Sequence, residues 1–221
     1  MVSWAVATSS PVLTARFWHS RRSAAFAGIV FAVLLLTAMI MIRLAFADDT
    51  LAALRADSSR RTLVRLSLQI VPFAGIAFLW FIGVVRDQMG DVEDRLFSTV
   101  FLGSGLLFLA MLFQSAVTTT SVMGGLTGPS VNVDLYEFGR SSTQTLISVY
   151  AMRMAGVFTL SVSTLALRTG ALPRWIPVTG YLVALLLMVA AGEHKWVQLV
   201  FPLWVLLVSV AILVTRPAAR T

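Results

Sequence analysis

Arg153 lies in the middle of a long apolar stretch, where a charged side chain is most able to do chemistry inside a membrane. A guanidinium keeps its proton in proteins, and near the bilayer centre it costs at least about 2.5–3.5 kcal/mol unless it is paired. Arg153 is therefore expected to face the interior of the protein, where it could bind an anion or a lipid head group. The alternative is that Arg153 lies shallower than the bounds of the run imply and extends its side chain to the membrane interface.

Polar side chains accompany Arg153 along one side of the same predicted helix. At 100° per residue, Thr145, Ser148 and Arg153 share an arc of about 160° with further hydroxyl residues, although several apolar residues lie in the same arc. This face could line a small hydrated cavity, or it could pack on Gln69 and Gln114 as an ordinary network between helices. The candidate ligand-binding residues are thus Arg153, Thr145, Ser148, Gln69 and Gln114.

Catalytic chemistry has little support in the sequence. All ten acidic residues lie outside the predicted membrane-spanning runs, Cys is absent, and His19 and His194 lie at or beyond helix ends. Proton-coupled transport usually needs a titratable group at depth, and a metal site needs several convergent ligands. The turn Glu193-His194-Lys195 could do acid–base work if it met the segment 119–141, but adjacent polar residues in a turn are more often solvated. We expect no catalytic residue, no metal site and no cofactor.

Six long apolar runs must position these residues. They cover about residues 24–45, 64–85, 97–118, 142–168, 173–191 and 196–215, and hydrophobic residues make up 58% of the chain. Each run approaches the roughly 20 residues that a helix needs to cross a bilayer core. The runs are continuous and do not alternate with a period of two, which favours helices over a β-barrel. The sequence predicts an all-α, polytopic transmembrane bundle of six helices in a single domain.

The residues before and between the apolar runs predict the terminal and connecting segments. Residues 1–23 form a cytoplasmic N-terminal segment, and residues 46–63 suggest a short amphipathic helix on the membrane surface. Residues 119–141 read as a long extracytoplasmic loop. Within it, Asp134 and Glu137 match a capping box, which predicts that the fourth helix begins near Leu135 and protrudes from the membrane. The first run resembles a signal peptide imperfectly, and an uncleaved helix is the preferred interpretation.

Basic residues predict the orientation. Nine flank the membrane on the side of the N-terminus and seven on the opposite side, five of them in the first loop. The nine are Arg16, Arg21, Arg22, Arg86, Arg95, Arg168, Arg174, Arg216 and Arg220. The seven are Arg43, Arg55, Arg60, Arg61, Arg65, Arg140 and Lys195. Both termini are predicted to be cytoplasmic, and the positive charge suits anionic lipid better than nucleic acid.

Small residues predict how the helices associate. Close backbone approach at small residues supplies dispersion contacts that lipid cannot. The small residues form a row on the first helix, a shorter row on the fifth and a thin stretch on the third: Ala24, Gly28 and Ala32, then Gly180 and Ala184, then Gly103 and Gly105. Trp204 lies deeper in its helix than the other tryptophans, which predicts a packing role.

Four segments resemble a group of uncharacterised bacterial membrane proteins that are common in actinobacteria. The segments are residues 78–86 (FLWFIGVVR), 101–105 (FLGSG), 150–158 (YAMRMAGVF) and 172–175 (LPRW). The resemblance spans most of residues 64–190, and it implies a small bacterial inner-membrane protein without supplying an activity or ligand. In that group a basic residue stands at the position of Arg153, which favours a role for this charge.

The sequence therefore predicts a non-enzymatic accessory or structural component of the bacterial inner membrane. It would bind lipid, a partner membrane protein or a second copy of itself. The alternative is a small transporter or channel for an anionic or amphiphilic solute, with Arg153 in a polar cavity along the route.

Overall fold

Six helices account for most of the chain. The structure is a computed structural model that describes residues 11–46, 56–87, 95–125, 132–170, 172–194 and 196–214. These residues contain six helices and no strand, which confirms the all-α prediction. The helices are α1 (Pro11–Ala45), α2 (Ser58–Asp87), α3 (Arg95–Gly125), α4 (Val133–Thr169), α5 (Trp175–Val189) and α6 (Val197–Val214).

Five of these helices are long and apolar enough to cross a membrane, and α5 is the shorter exception. Its 15 residues rise about 22 Å at about 1.5 Å per residue, which is less than the bilayer core of about 30 Å. The predicted run 173–191 is longer than this helix because α5 ends at Val189 and a turn with Gly192 at a φ of 100° follows. Only glycine adopts that backbone conformation readily.

Four helices, α1 to α4, extend beyond their predicted bounds. α1 begins at Pro11, so the predicted N-terminal segment 1–23 is partly helical. α3 continues to Gly125 and α4 begins at Val133, so residues 119–125 and 133–141 of the segment predicted as a loop are helical, and residues 126–131 lie outside the described residues. Hydropathy marks only the membrane core, whereas helical hydrogen bonding continues through polar residues. Half of the segment 46–63 that was predicted as an amphipathic helix, residues 47–55, lies outside the described residues, and residues 58–63 belong to α2.

The start of α4 is close to the prediction but has a different cap. The backbone N–H of Leu135 donates to Oδ1 of Asn132 at 3.1 Å, so Asn132 is the N-cap in place of the predicted Asp134. An asparagine carbonyl at this position satisfies one of the backbone donors that a helix start leaves unpaired.

The helices form an up-and-down ring in which each packs antiparallel on the next. Gly28 faces Phe81 between α1 and α2, and Gly105 faces Phe158 between α3 and α4. α6 returns to α1 and closes the ring. We call the end of the bundle that contains Arg43, Gly125 and Val189 the distal end, and the opposite end the proximal end.

An aromatic cluster fills the bundle from its middle towards the proximal end. Its seven fully buried members are Phe31, Phe78, Phe81, Phe101, Phe108, Phe158 and Phe201. Phe78 is at the centre, with ring centroids of five other members 4.5–6.3 Å away. Most of these pairs are tilted or edge-on, the arrangements that aromatic quadrupoles favour.

The small residues lie where the helices approach most closely, as predicted. A Cβ at Gly28 would overlap Oγ of Ser209, and one at Gly180 would overlap Oγ of Ser163. Trp204 is 4% exposed and packs on Gly180, which confirms its predicted packing role. Packing here is so close that Nε1 of Trp204 and Oγ of Ser209 find no hydrogen-bond partner among the described residues.

Candidate functional site

Arg153 faces outward from the bundle, so the prediction that it faces inward is wrong. Its side chain is exposed, and it has no ion-pair or hydrogen-bond partner within the described part of the chain. The buried face of α4 is centred on Ala155 and Val162, about 180–200° around the helix from Arg153 at 100° per residue. Thr159, Ser161 and Ser163 are also buried on that face, so the hydroxyl residues beyond Arg153 pack inside the bundle while Arg153 does not.

The other predicted site residues do not come together around Arg153. Thr145, Gln69 and Gln114 are exposed, and only Ser148 is buried. Nε2 of Gln198 at the start of α6 donates to Oγ of Ser148 at 2.6 Å. The network that joins α4 to a neighbouring helix thus uses a glutamine different from the two that we predicted.

A change in helical winding separates Thr145 from Arg153. Residues Leu146–Ala151 form a π-helical segment inside α4, flanked by α-helix on both sides. Such a segment accommodates about one extra residue and shifts the angular position of everything beyond it by about 100°. A single helical wheel could therefore not place both halves of α4 correctly.

A cavity of about 490 Å³ lies inside the distal half of the bundle. Its walls come from α1, α2, α3 and α4, with Trp196 and Gln198 added from the segment that begins α6. The volume is within the range of about 300–1,000 Å³ typical of sites for small molecules. We call this space the distal cavity.

The deep part of the distal cavity is apolar. It is lined there by Leu35 and Ala38 of α1, Val71 of α2, Leu112 of α3 and Ile147 of the π-helical segment. The aromatic cluster begins one turn further along, at Phe31 on α1 and Phe108 on α3. The cavity is therefore closed towards the proximal end.

The mouth of the distal cavity is cationic. Arg43 near the end of α1 and Arg140 on α4 both line it, and no Asp or Glu is found among its described lining residues. The guanidinium carbon of Arg43 lies 4.8 Å from the centroid of the Trp196 ring, which fixes this charge at the rim by a cation–π contact.

Hydroxyl and amide groups accompany the two arginines. Oγ1 of Thr119 on α3 lies 3.4 Å from Oγ1 of Thr143 on α4, and Gln144 and Gln198 also line the cavity. The distal cavity thus changes along its length from an apolar interior to a polar, positively charged mouth.

Tyr136 covers the side of this mouth between α3 and α4. It is 6% exposed and packs against Phe46, Val122 and Met123. The two helices can meet closely here because Gly139 has no side chain. A Cβ at this position would overlap Val122.

The polar turn after α5 is not part of the cavity lining. Glu193 and His194 are exposed, their side chains make no hydrogen bond within the described residues, and Lys195 lies outside those residues. Among the residues described, no group of three or more His, Cys, Asp or Glu side chains could hold a metal ion.

Sequence reasoning missed the two arginines of the mouth. We used Arg43 and Arg140 only to count charges on the two sides of the membrane. The usable signal was that Arg43 lies near the end of one predicted helix and Arg140 lies just before the start of another. Their convergence, however, depends on the long-range packing of α1 on α6 and of α3 on α4. Comparison with protein-family models, curated proteins and solved structures finds no match for this chain.

Proposed function

We propose that this protein is a non-enzymatic membrane component that binds an amphiphile with an anionic head group in the distal cavity. The observation that carries the proposal is the polarity gradient of the cavity, which is apolar in its depth and cationic at its mouth. An acyl chain fits the first part and a phosphate or carboxylate fits the second. Membrane lipids and their single-chain derivatives combine both features.

The size of the cavity supports a chain-like ligand. From Leu35 to Arg43, α1 rises about 12 Å, and from Tyr136 to Ile147, α4 rises about 16 Å at about 1.5 Å per residue. The space is thus elongated along the helices. Because the acyl chain of a membrane lipid is already removed from water in the bilayer, the apolar walls would contribute packing contacts with that chain.

The arginines support an anionic head group. A guanidinium offers a planar set of donors that pairs with phosphate or carboxylate through two parallel hydrogen bonds. Trp196 holds the Arg43 side chain at the rim before a ligand arrives, so less side-chain freedom is lost on binding.

Passage of a solute through the protein has less support than binding. The aromatic cluster closes the proximal side of the cavity, and Arg153 lies on the outer surface instead of along an internal route. A transporter would require these buried rings to separate in a second conformation.

The proposed location is the cytoplasmic membrane of a bacterium, with both termini inside and the distal end outside. The excess of basic residues on the side of the N-terminus supports this orientation, apart from the first loop. The cavity would then open on the outer side of the membrane.

The test is binding of a fluorescent lysophosphatidic acid analogue to the protein in nanodiscs of phosphatidylcholine, compared with a monoacylglycerol of the same chain. We expect saturable binding that favours the anionic ligand. The double variant Arg43→Gln/Arg140→Gln should lose this preference, and Ala116→Leu, which fills the cavity, should weaken binding of both ligands.

Arg168→Gln is the matched control. Arg168 also lies over an aromatic ring, 5.7 Å from the centroid of Phe97, but at the proximal end. Like the Arg43→Gln substitution, Arg168→Gln removes one positive charge and one cation–π contact, but at a place away from the cavity, so binding should be unchanged. Binding that is equal in the wild type and in the cavity variants, with all proteins folded by circular dichroism and gel filtration, would overturn the proposal.

A further inference from the structure

A second lipid contact is indicated on the outer surface of α4, where Arg153 faces away from the bundle. We propose that Arg153 and Tyr150 bind the phosphate of a phospholipid in the distal leaflet, at a site separate from the distal cavity. Tyr150 is 54% exposed and lies three residues before Arg153, on the same face of α4. This proposal does not depend on the one above.

The depth of Arg153 in the membrane follows from the packing of α4 on α5. A Cβ at Gly192 in the distal turn would lie 3.5 Å from Val149, and one at Gly156 would lie 3.0 Å from Met188, the residue before the last of α5. Arg153 lies between these two levels. It is about 6 Å from the level of Val149, at about 1.5 Å per residue.

The opposite end of α4 is much further away. From Arg153 to the end of the helix at Thr169 the backbone rises about 24 Å, so Val149 to Thr169 covers about 30 Å, the thickness of a bilayer core. Arg153 therefore belongs to the distal interface and not to the bilayer centre. The sequence alone suggested the centre because the predicted run 142–168 included polar turns that lie beyond the core.

The side chain can bridge the remaining distance. Long side chains on a helix point towards its N-terminus, and the N-terminus of α4 is distal. Arginine extends its apolar stem through the hydrocarbon and places its guanidinium in the head-group region. The proposed ligand is consequently a lipid phosphate, which this region always supplies, and not a carboxylate on a partner helix at mid-membrane.

Tyr150 and two leucines complete the surface. The Tyr150 hydroxyl lies one turn nearer the head groups than Arg153 and can donate a second hydrogen bond to the same phosphate. Leu160 and Leu167 are 39% and 40% exposed and follow Arg153 at intervals of seven residues. They form an apolar track for the acyl chain below the phosphate.

The experiment uses spin-labelled lipids, with the protein reconstituted in phosphatidylcholine. The fraction of motionally restricted label is compared for phosphatidic acid and phosphatidylcholine. We expect the wild type to prefer phosphatidic acid, and Arg153→Gln to lose most of that preference, because the guanidinium pairs with the anionic phosphate. Tyr150→Phe should lower it less, and Arg153→Lys should restore part of it.

Arg65→Gln is the matched control because Arg65 is also exposed near the distal end, on α2. A loss in Arg65→Gln equal to that in Arg153→Gln would reduce the effect to net charge and overturn the site. An unchanged preference in Arg153→Gln would overturn it too.

The absence of Cys from the chain allows a second test with single labels. A photoreactive group on Leu160→Cys should give lipid adducts in native membranes. A protein adduct of one defined mass would instead indicate an acid-bearing partner helix and would contradict the lipid assignment.

Discussion

The proximal and distal halves of the bundle use the same helices in different ways. In the proximal half, aromatic rings and glycines bring the helices so close that even a hydroxyl and an indole N–H go without partners among the described residues. In the distal half, the same helices separate around a cavity with arginines, threonines and glutamines at its mouth. From this difference we expect stability to reside mainly in the proximal half, and the proposed binding to use the distal half.

Truncation of Phe78 should have the largest effect on stability. Phe78→Ala removes the ring that contacts five others, and large-to-small changes of this kind cost about 3–5 kcal/mol. Denaturation in mixed micelles would measure the free energy of unfolding. Phe73→Ala is the control, since Phe73 is on the same helix but 64% exposed. Equal losses in the two variants would contradict the central place of the aromatic cluster.

Replacing an alanine with leucine should have different effects on stability in the two halves of the bundle. Ala155 is fully buried in closely packed surroundings, so Ala155→Leu should destabilise the protein by about 1–3 kcal/mol. Ala116 lines the distal cavity, and Ala116→Leu should leave the thermal midpoint unchanged or raise it. The comparison fails if the Ala116 variant is the less stable of the two.

Loss of the link between α4 and α6 should have a moderate effect. Gln198→Leu removes the 2.6 Å hydrogen bond to Ser148, and hydrogen bonds between membrane helices contribute about 0.6 kcal/mol on average. Gln69→Leu is the control, because Gln69 is exposed and an apolar side chain suits that surface at least as well. Denaturation curves should show a lower free energy of unfolding for Gln198→Leu than for Gln69→Leu. The reverse order would favour the network around Gln69 that the sequence predicts.

The smallest effect is expected at the start of α2. The backbone N–H of Ser59 donates to Oδ1 of Asp57 at 2.8 Å, and this bond, together with nearby Arg60, lowers the pKa of Asp57 below its usual value. Because the pKa of Asp57 is lowered in the folded state, the cap stabilises the protein fully above the unfolded pKa of about 3.9. This stabilisation is lost as the pH falls through the lower pKa of the folded state. Hydrogen exchange at the first turn of α2 should therefore accelerate below that pH in the wild type. In Asp57→Asn it should show no such step.

The sequence predicted the fold well because hydropathy reports membrane burial directly. Six apolar runs became six helices, and the glycine rows at Gly28 and Gly180 became close contacts. The ends of the helices were predicted less well, since α3 and α4 continue through Thr, Ser and Gly residues that have no hydropathy signal.

The candidate site was mostly not predictable from the sequence. Arg153 was the most conspicuous residue, but whether it is buried depends on its angular position on α4 and on its depth in the membrane. The π-helical segment changes the angular position, and the packing of Val149 against the distal turn sets the depth. Arg43 and Arg140 are 97 positions apart in the chain. Only the closure of the helical ring brings them to the same rim.

The looser winding at Leu146–Ala151 gives α4 one residue more than a uniform α-helix of the same length would hold. Removing one residue from this segment would let it tighten while the flanking parts keep their present neighbours, whereas a deletion elsewhere in α4 would turn one part by about 100° against the other. The same extra residue turns the part of α4 that contains Tyr136 and Arg140 by about 100° relative to the part that contains Phe158, so it decides which residues of α4 face the cavity.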